Sequence, residues 1–203
     1  MKTIDKIKVI VAPFLKVDEG SVTADTVIDR TAIKGSIMIH RMYAALSREL
    51  NNEIRYRDSI RTVGDLLVRC GDKYAPGHEE IAPPLPASGR GILVGIDIEE
   101  VDKMPKVPDF REDAFYKENF SPKEISYCLL QTSPVESFAG HFAAKEAIVK
   151  ADNSYKTVPF CHIEVINDGN GRPLFKDFVL SISHVDRFAI AVAVKVAGEG
   201  IVK

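Results

Sequence analysis

Cysteine is scarce: Cys70, Cys128 and Cys161 are the three in 203 residues, far apart and without any Cys-x-x-Cys spacing. A scattered, odd-numbered set builds neither a disulfide framework nor a zinc site, and reads as reduced, cytoplasmic thiols. A dominant charge is also missing. The formal net charge of −2 excludes a nucleic-acid binder or a polybasic membrane-surface protein on overall charge. Long apolar runs are absent. The patch from Val9 to Leu15 is interrupted by Pro13 and followed by no small-residue cleavage site, so it is not a signal peptide. No stretch is long enough to span a bilayer. There is no internal repeat, and Gly95-x-Asp97 and Gly169-x-Gly171 lack the Lys-Ser/Thr of a P-loop and the full dinucleotide fingerprint. What is present is ample apolar material, 45% of residues, enough for one large domain or two small ones.

Pro76, Pro83, Pro84 and Pro86, with three glycines between Gly71 and Arg90, can continue neither a helix nor a central strand. Residues 73–90 therefore read as a linker between residues 1–72 and 91–203. The first part reads as a bundle of three or four helices. Ile4, Ile7, Val11, Phe14 and Leu15 recur at helical spacing, with Pro13 expected to kink or end the helix. Thr23 to Thr26 is a turn. Ile39, Met42, Tyr43, Leu46 and Leu50 form one stripe over 36–50, and a short helix starts near Thr62 with Val63, Leu66, Leu67 and Cys70 inward. Ser36 stands where serine favours the helix N-cap.

The second part opens on Gly91-Ile-Leu-Val-Gly-Ile-Asp97-Ile98, a short β-branched run that reads as a buried strand. Ser121-Pro122-Lys123-Glu124 announces a helix with N-cap, proline in the first turn and a capping box. A longer helix over Phe138–Lys150 has Phe138, Phe142 and Val149 for a core and Ala143, Ala144 and Ala147 for close packing. Strands are expected over Cys161–Ile166, Val179–His184 and Phe188–Val196. A turn is expected at 167–173 and a hairpin at 184–187. The fold expected is α+β, a helical bundle followed by a small antiparallel sheet with one long helix packed on it.

Chemistry concentrates on that strand and that helix. Leaving the Asp97 carboxylate uncompensated inside a buried strand would be expensive, and a cation relieves it. Asp97 and Glu146 offer the hard oxygen ligands that suit Mg²⁺ completed by water and phosphates, and no His/Cys cluster competes. Lys145 and Lys150 add the positive charge that phosphoryl transfer needs. The alternative is an exposed Glu146–Lys150 pair at i,i+4 on a helix surface.

Two resemblances sharpen this. Val22-Thr-Ala-Asp-Thr, Gly35-Ser36-Ile37, Ala45-Leu46-Ser-Arg-Glu-Leu50, Ile54 and Thr62-Val63-Gly-Asp65-Leu66 resemble an acyl carrier protein. That resemblance implies phosphopantetheine attachment at Ser36, although Gly35 stands where such carriers have aspartate. Residues 1–75 carry 13 Lys+Arg against 10 Asp+Glu, whereas carriers of that kind are acidic. Gly95-Ile-Asp97-Ile-Glu-Glu100-Val, Phe120 to Cys128, Ala139-Gly-His-Phe-Ala-Ala-Lys-Glu-Ala147 with Lys150, Gly171-Arg172-Pro173 and Ser181-Ile-Ser-His184 resemble the holo-acyl-carrier-protein synthases, which are 4′-phosphopantetheinyl transferases.

The second resemblance implies transfer of phosphopantetheine from coenzyme A to a carrier serine, with release of 3′,5′-ADP. It implies Mg²⁺ on Asp97 and Glu146. Lys145, Lys150, Arg172 and His184 would meet the coenzyme, and Glu146 or a metal-bound water would take the serine proton. Lys103, in place of the usual arginine, would touch the carrier with less bidentate reach. His141 also replaces an arginine and implies a weaker phosphate or carrier contact. The implied partners are coenzyme A and an acyl carrier protein, separate or the chain's own first domain, within a homo-oligomer such as a trimer. The carrier is left open between fatty-acid and polyketide or peptide assembly. The rival reading is a non-catalytic scaffold that binds carriers or coenzyme A and bears a degenerate carrier domain.

Overall fold

The computed structural model describes residues 2–56, 60–71 and 91–196. The segment read as a linker, 73–90, lies outside the described residues. The described chain forms two compact units, residues up to 71 grouping with Glu112–Glu118 and the remainder forming the second.

The first unit is helical, with α1 (Thr3–Leu15), α2 (Ser36–Leu50) and α3 (Val63–Arg69). Its core gathers Ile7 and Val11 of α1, Ile39, Met42, Tyr43 and Leu46 of α2, and Val63 and Leu66 of α3. Pro13 does not end α1. It sits in the last turn, where little of the hydrogen-bond ladder remains to be lost, and the helix stops at Lys16 in the left-handed region, φ 58°. Thr62 caps α3 through a reciprocal box with Asp65. At α2 the cap is Gly35, with φ 92° and no side-chain hydrogen bond, and Ser36 is the first helical residue rather than the cap.

The second unit holds β1 (Ile92–Glu100), α5 (Pro122–Leu129), α6 (Pro134–Ala151), β2 (Ile166–Asn167), β3 (Pro173–Phe175), β4 (Phe178–Val185) and β5 (Phe188–Val196); the short α4 (Ala114–Asn119) precedes α5 in the chain. The strands form one antiparallel sheet in the order β1-β5-β4-β3-β2. The strand expected over Cys161–Ile166 is mostly absent: Phe160–His162 is a turn of 3₁₀ helix and only Ile166–Asn167 pairs. Its partner β3 begins at Pro173, the last residue of the expected turn, and runs on through Leu174 and Phe175, which the pattern assigned to no element. Three residues carry too little alternation to be read as a strand without the neighbour they bond to.

Sheet and helix meet along small residues. Gly95, Ala189, Ala191 and Ala193 are buried on the face toward α6, with Gly95 directly opposite Ala193 and Asp97 opposite Ala191. A Cβ on Gly95 would stand 1.9 Å from the Ala147 carbonyl oxygen, so glycine is what permits this approach. The other face of the sheet is apolar and exposed, with Val94 beside Val194, Ile96 beside Val192 and Ile98 beside Ile190.

Candidate active site

α6 is buried on every side from Phe138 to Val149, so its three faces have three different jobs. Gly140, Ala147 and Ala151 face the sheet; a Cβ on Gly140 would meet Ile182, and the other two crowd Gly95. On the far side, Phe138 stacks on Phe110 at 5.3 Å and Phe142 meets Phe160 edge-on at 5.3 Å. Glu146 and Lys150, one turn apart, occupy the flank between. From there Lys150 Nζ reaches β1, donating to Asp97 Oδ1 at 2.5 Å and to the Ile96 carbonyl at 3.2 Å. Glu146 is 1% exposed and Asp97 6%, while the Lys150 side chain keeps 43% of its surface in water. The surface-pair alternative therefore fails: Glu146 is buried, and Lys150 turns to another strand.

Period-two alternation puts Glu99 on the same face as Asp97, and it too is buried, 4% exposed. The sequence reading passed over it, although its spacing from Asp97 was the available signal. Among the described residues no group of three or more His, Cys, Asp or Glu could hold a metal ion.

Lys145, expected at the phosphates, lies on a different side of α6 from Glu146 and Lys150. Lying two residues before Ala147, about 200° round the helix, it points away from the sheet. Its ammonium is fully buried and hydrogen-bonds Glu124 Oε2 at 2.7 Å and the carbonyls of Asn119 and Phe160 at 2.7 and 2.8 Å. Burial pulls this ammonium below its usual pKa, and Glu124 opposes that pull. Glu124 also receives the Ser121 N–H at 2.8 Å and, on Oε1, the Val165 N–H at 3.1 Å. The sequence read Glu124 only as a capping-box residue, and its second task as a buried counter-ion had no local signal.

His141 is also committed elsewhere. Its ring is 3% exposed and joins the Ser137 carbonyl and Asn167 Oδ1, both at 2.9 Å, tying α6 to β2. Lys103 lies in a 3₁₀ turn after β1 and pairs with Glu100 at 2.8 Å. That hydrogen bond, helped by the charges of Lys103 and Arg187, holds the Glu100 carboxyl below its usual range. His184 is exposed near the end of β4, opposite Ala189, which is itself opposite Glu99. It therefore shares the sheet face of Asp97, with its strand two strand spacings, ~9.6 Å, from β1. Arg172 is exposed in the β2–β3 turn, next to the start of β3 and three strand spacings, ~14 Å, from β1. Ser36 belongs to the helical unit and is half-buried at the start of α2.

The family described as the 4′-phosphopantetheinyl transferase superfamily matches residues 93–193, the span that carries both Asp97 and Glu146. A holo-[acyl-carrier-protein] synthase of Halothermothrix orenii is 36% identical over 117 residues, 50% of this chain and 94% of the relative. The chain belongs to the 4′-phosphopantetheinyl transferase superfamily. A holo-[acyl-carrier-protein] synthase of Clostridium tetani is 40% identical over 117 residues, covering 50% of this chain and 92% of its own. A solved holo-(acyl-carrier-protein) synthase from Bacillus anthracis, in complex with CoA (3′,5′-ADP), is 33% identical, covers 53% of this chain and 98% of its own, and has a TM-score of 0.44. The matched half of the chain is thus an enzyme of the holo-[acyl-carrier-protein] synthase kind. The three helices α1 to α3 lie outside the match.

Proposed function

We propose that this transferase-superfamily chain moves the 4′-phosphopantetheine group of coenzyme A to a serine of an acyl carrier protein and releases 3′,5′-ADP. The observation that supports it most is the helix-to-strand contact of Lys150 with Asp97, beside the buried Glu146, within the family span. Two buried carboxylates are the hard-oxygen complement that Mg²⁺ takes when phosphates and water fill its remaining positions. Asp97 and Glu146 would hold that ion, which when bound supplies charge neutralisation and orientation to the diphosphate.

The chain's own residues divide the rest. Lys150 holds a fixed positive charge at the phosphates, with its ammonium anchored on Asp97 and the Ile96 carbonyl. The carrier serine oxygen attacks the β-phosphorus, and its proton passes to Glu146. The bond from that phosphorus to the bridging oxygen breaks, and the electron pair leaves with 3′,5′-ADP. His184, on the same sheet face but two strands away, meets a more distant part of the same long ligand. Lys103 offers its charge to the carrier next to the sheet end. Lys145 takes no part in binding.

Arg172 lies three strand spacings from β1, so it reaches the coenzyme only if a second copy brings its own Arg172 across. The exposed apolar face formed by β1 and β5 supports such an assembly, since Val94, Ile96, Ile98 and Ile190 lie together in water in a single chain. A homotrimer completes the site in this reading. The three cysteines form no disulfide, in keeping with the cytoplasm, and among the described residues no helix is long and apolar enough to cross a membrane. The first unit has three readings, an internal acceptor through Ser36, a docking or regulatory module, or a relic, and the mass of this chain after reaction separates the first from the other two.

Incubation with coenzyme A, Mg²⁺ and a separate apo-carrier, followed by intact mass, tests this. A gain of one phosphopantetheine group on the added carrier is expected, and none in Glu146→Ala. The same gain on this chain, lost in Ser36→Ala, would locate the internal acceptor. Coenzyme A bound with no transfer to either protein would replace the enzyme reading by a scaffold.

A further inference from the structure

The candidate site depends on where α6 points Glu146 and Lys150, yet the sheet side of α6 is poorly suited to fixing that angle. Gly140, Ala147 and Ala151 lie against a face built of Gly95, Ala189, Ala191 and Ala193. Around Ala147 and Ala151 small against small gives close approach but no large side chain seated in a hole to resist rotation; the Ile182 methyl against Gly140 lies two turns earlier. Each residue along α6 turns the next by about 100°, so a modest rotation would swing Glu146 away from Asp97. Something behind the helix has to set its phase at this level.

Lys145 stands immediately before Glu146 and on that rear side. Its three ammonium hydrogens are matched by three acceptors from three segments: Asn119 at the end of α4, Glu124 on α5, and Phe160 in the 3₁₀ turn. Those acceptors are themselves braced, since Glu124 is held by the N–H groups of Ser121 and Val165. The ammonium also lies 5.0 Å from the centre of the Phe120 ring. A side chain pinned at three points in a dry pocket cannot rotate or slide without leaving a buried charge unmatched.

We infer that the Lys145–Glu124 pair is a positioning strut, setting the rotation of α6 that aims Glu146 at the ion shared with Asp97. This rests on the reading of Asp97 and Glu146 as metal-holding carboxylates. The mechanism is that of groups that orient a metal ligand without touching the metal, whose loss weakens metal binding by about 10–100-fold.

The test titrates Mn²⁺ into the full chain in the presence of coenzyme A, reading free Mn²⁺ by electron paramagnetic resonance, alongside a thermal melt. Two variants are compared with the wild type. Lys145→Met combined with Glu124→Gln removes both charges, while the amide oxygen introduced at position 124 can still accept the Val165 N–H. Glu124→Asp keeps both charges and shortens the strut by one methylene. Cooperative folding with Mn²⁺ bound about 10–100-fold more weakly is expected. Wild-type Mn²⁺ affinity in either folded variant overturns the strut alone, as does loss of cooperative folding in both, which would make the pair a requirement of the fold. Failure of the wild-type chain to bind Mn²⁺ overturns the carboxylate reading and the strut with it.

Discussion

Gly95→Ala is the sharpest single perturbation the structure offers. The added Cβ would lie 1.9 Å from the Ala147 carbonyl oxygen and 2.6 Å from the Ala151 nitrogen, both backbone atoms of α6. Real Cβ atoms essentially never come within 3.0 Å of such neighbours, so strand and helix must part by at least 1.1 Å, the gap between 1.9 and 3.0 Å. Overpacking of this kind costs about 1–3 kcal/mol, toward the upper end when no flexible side chain can yield. For a unit near 100 residues each kcal/mol lowers the melting temperature by ~4 °C or more. A fall on the order of 10 °C is therefore expected. The same separation moves Asp97 on β1 away from Glu146 and Lys150 on α6, and a 1 Å misplacement of reacting groups costs on the order of 10²-fold in rate. Thermal melting and the time course of carrier modification by intact mass measure the two effects. Two controls grade the argument. Gly140→Ala meets only the Ile182 Cγ2 methyl at 2.8 Å, a side-chain end that can shift, so its effect is smaller; Gly20→Ala meets nothing within 4 Å and changes neither quantity. A Gly95→Ala protein that melts and reacts like the wild type would refute the contact geometry on which the site rests.

Other expectations are more local. Lys145→Met alone strands the Glu124 carboxylate in a dry pocket and lowers stability by about 3–5 kcal/mol, read from the urea midpoint. Lys150→Ala takes the ammonium from the buried Asp97 carboxylate and lowers stability by about 1–3 kcal/mol, while transfer activity collapses; retained activity would remove Lys150 from the reaction. Burial pushes the Cys128 thiol up to about 12, so at pH 8 only about one molecule in ten thousand is thiolate there. A colorimetric disulfide reagent should count two thiols in the native protein, those of the half-buried Cys70 and Cys161, and a third only after unfolding. Ile96→Lys, on the exposed apolar sheet face, should shift the molecular mass by light scattering toward the single chain; an unchanged mass would rule that face out as an interface.

Much of the second unit could be read from local pattern. Ser121 with Glu124 announces α5 because a capping box is a four-residue device, complete within its own segment. The hairpin of β4 and β5 showed as two β-branched runs around His184 to Arg187. In the first unit, the stripe of Ile39, Met42, Tyr43 and Leu46 marked a buried helix face because a 3.6-residue period is a property of the chain itself. Asp97 and Glu146 were singled out because a carboxylate in a buried run is costly wherever the rest of the protein lies.

Other features needed the third dimension. β3 is a strand only because β2 and β4 bond it, and three residues hold no period of their own. Lys145 and Lys150 are both lysines on one helix beside one glutamate, and composition makes them equivalents. Helical phase separates them, sending Lys150 to Asp97 at 2.5 Å and Lys145 to Glu124 at 2.7 Å on the opposite side. Sequence alone marked the Asp97 carboxylate as a charge that had to be compensated. Which partner each charge met was decided by tertiary packing, because an ion pair is fixed by distances between segments 53 and 21 residues apart along the chain, and such distances are not encoded in either segment by itself.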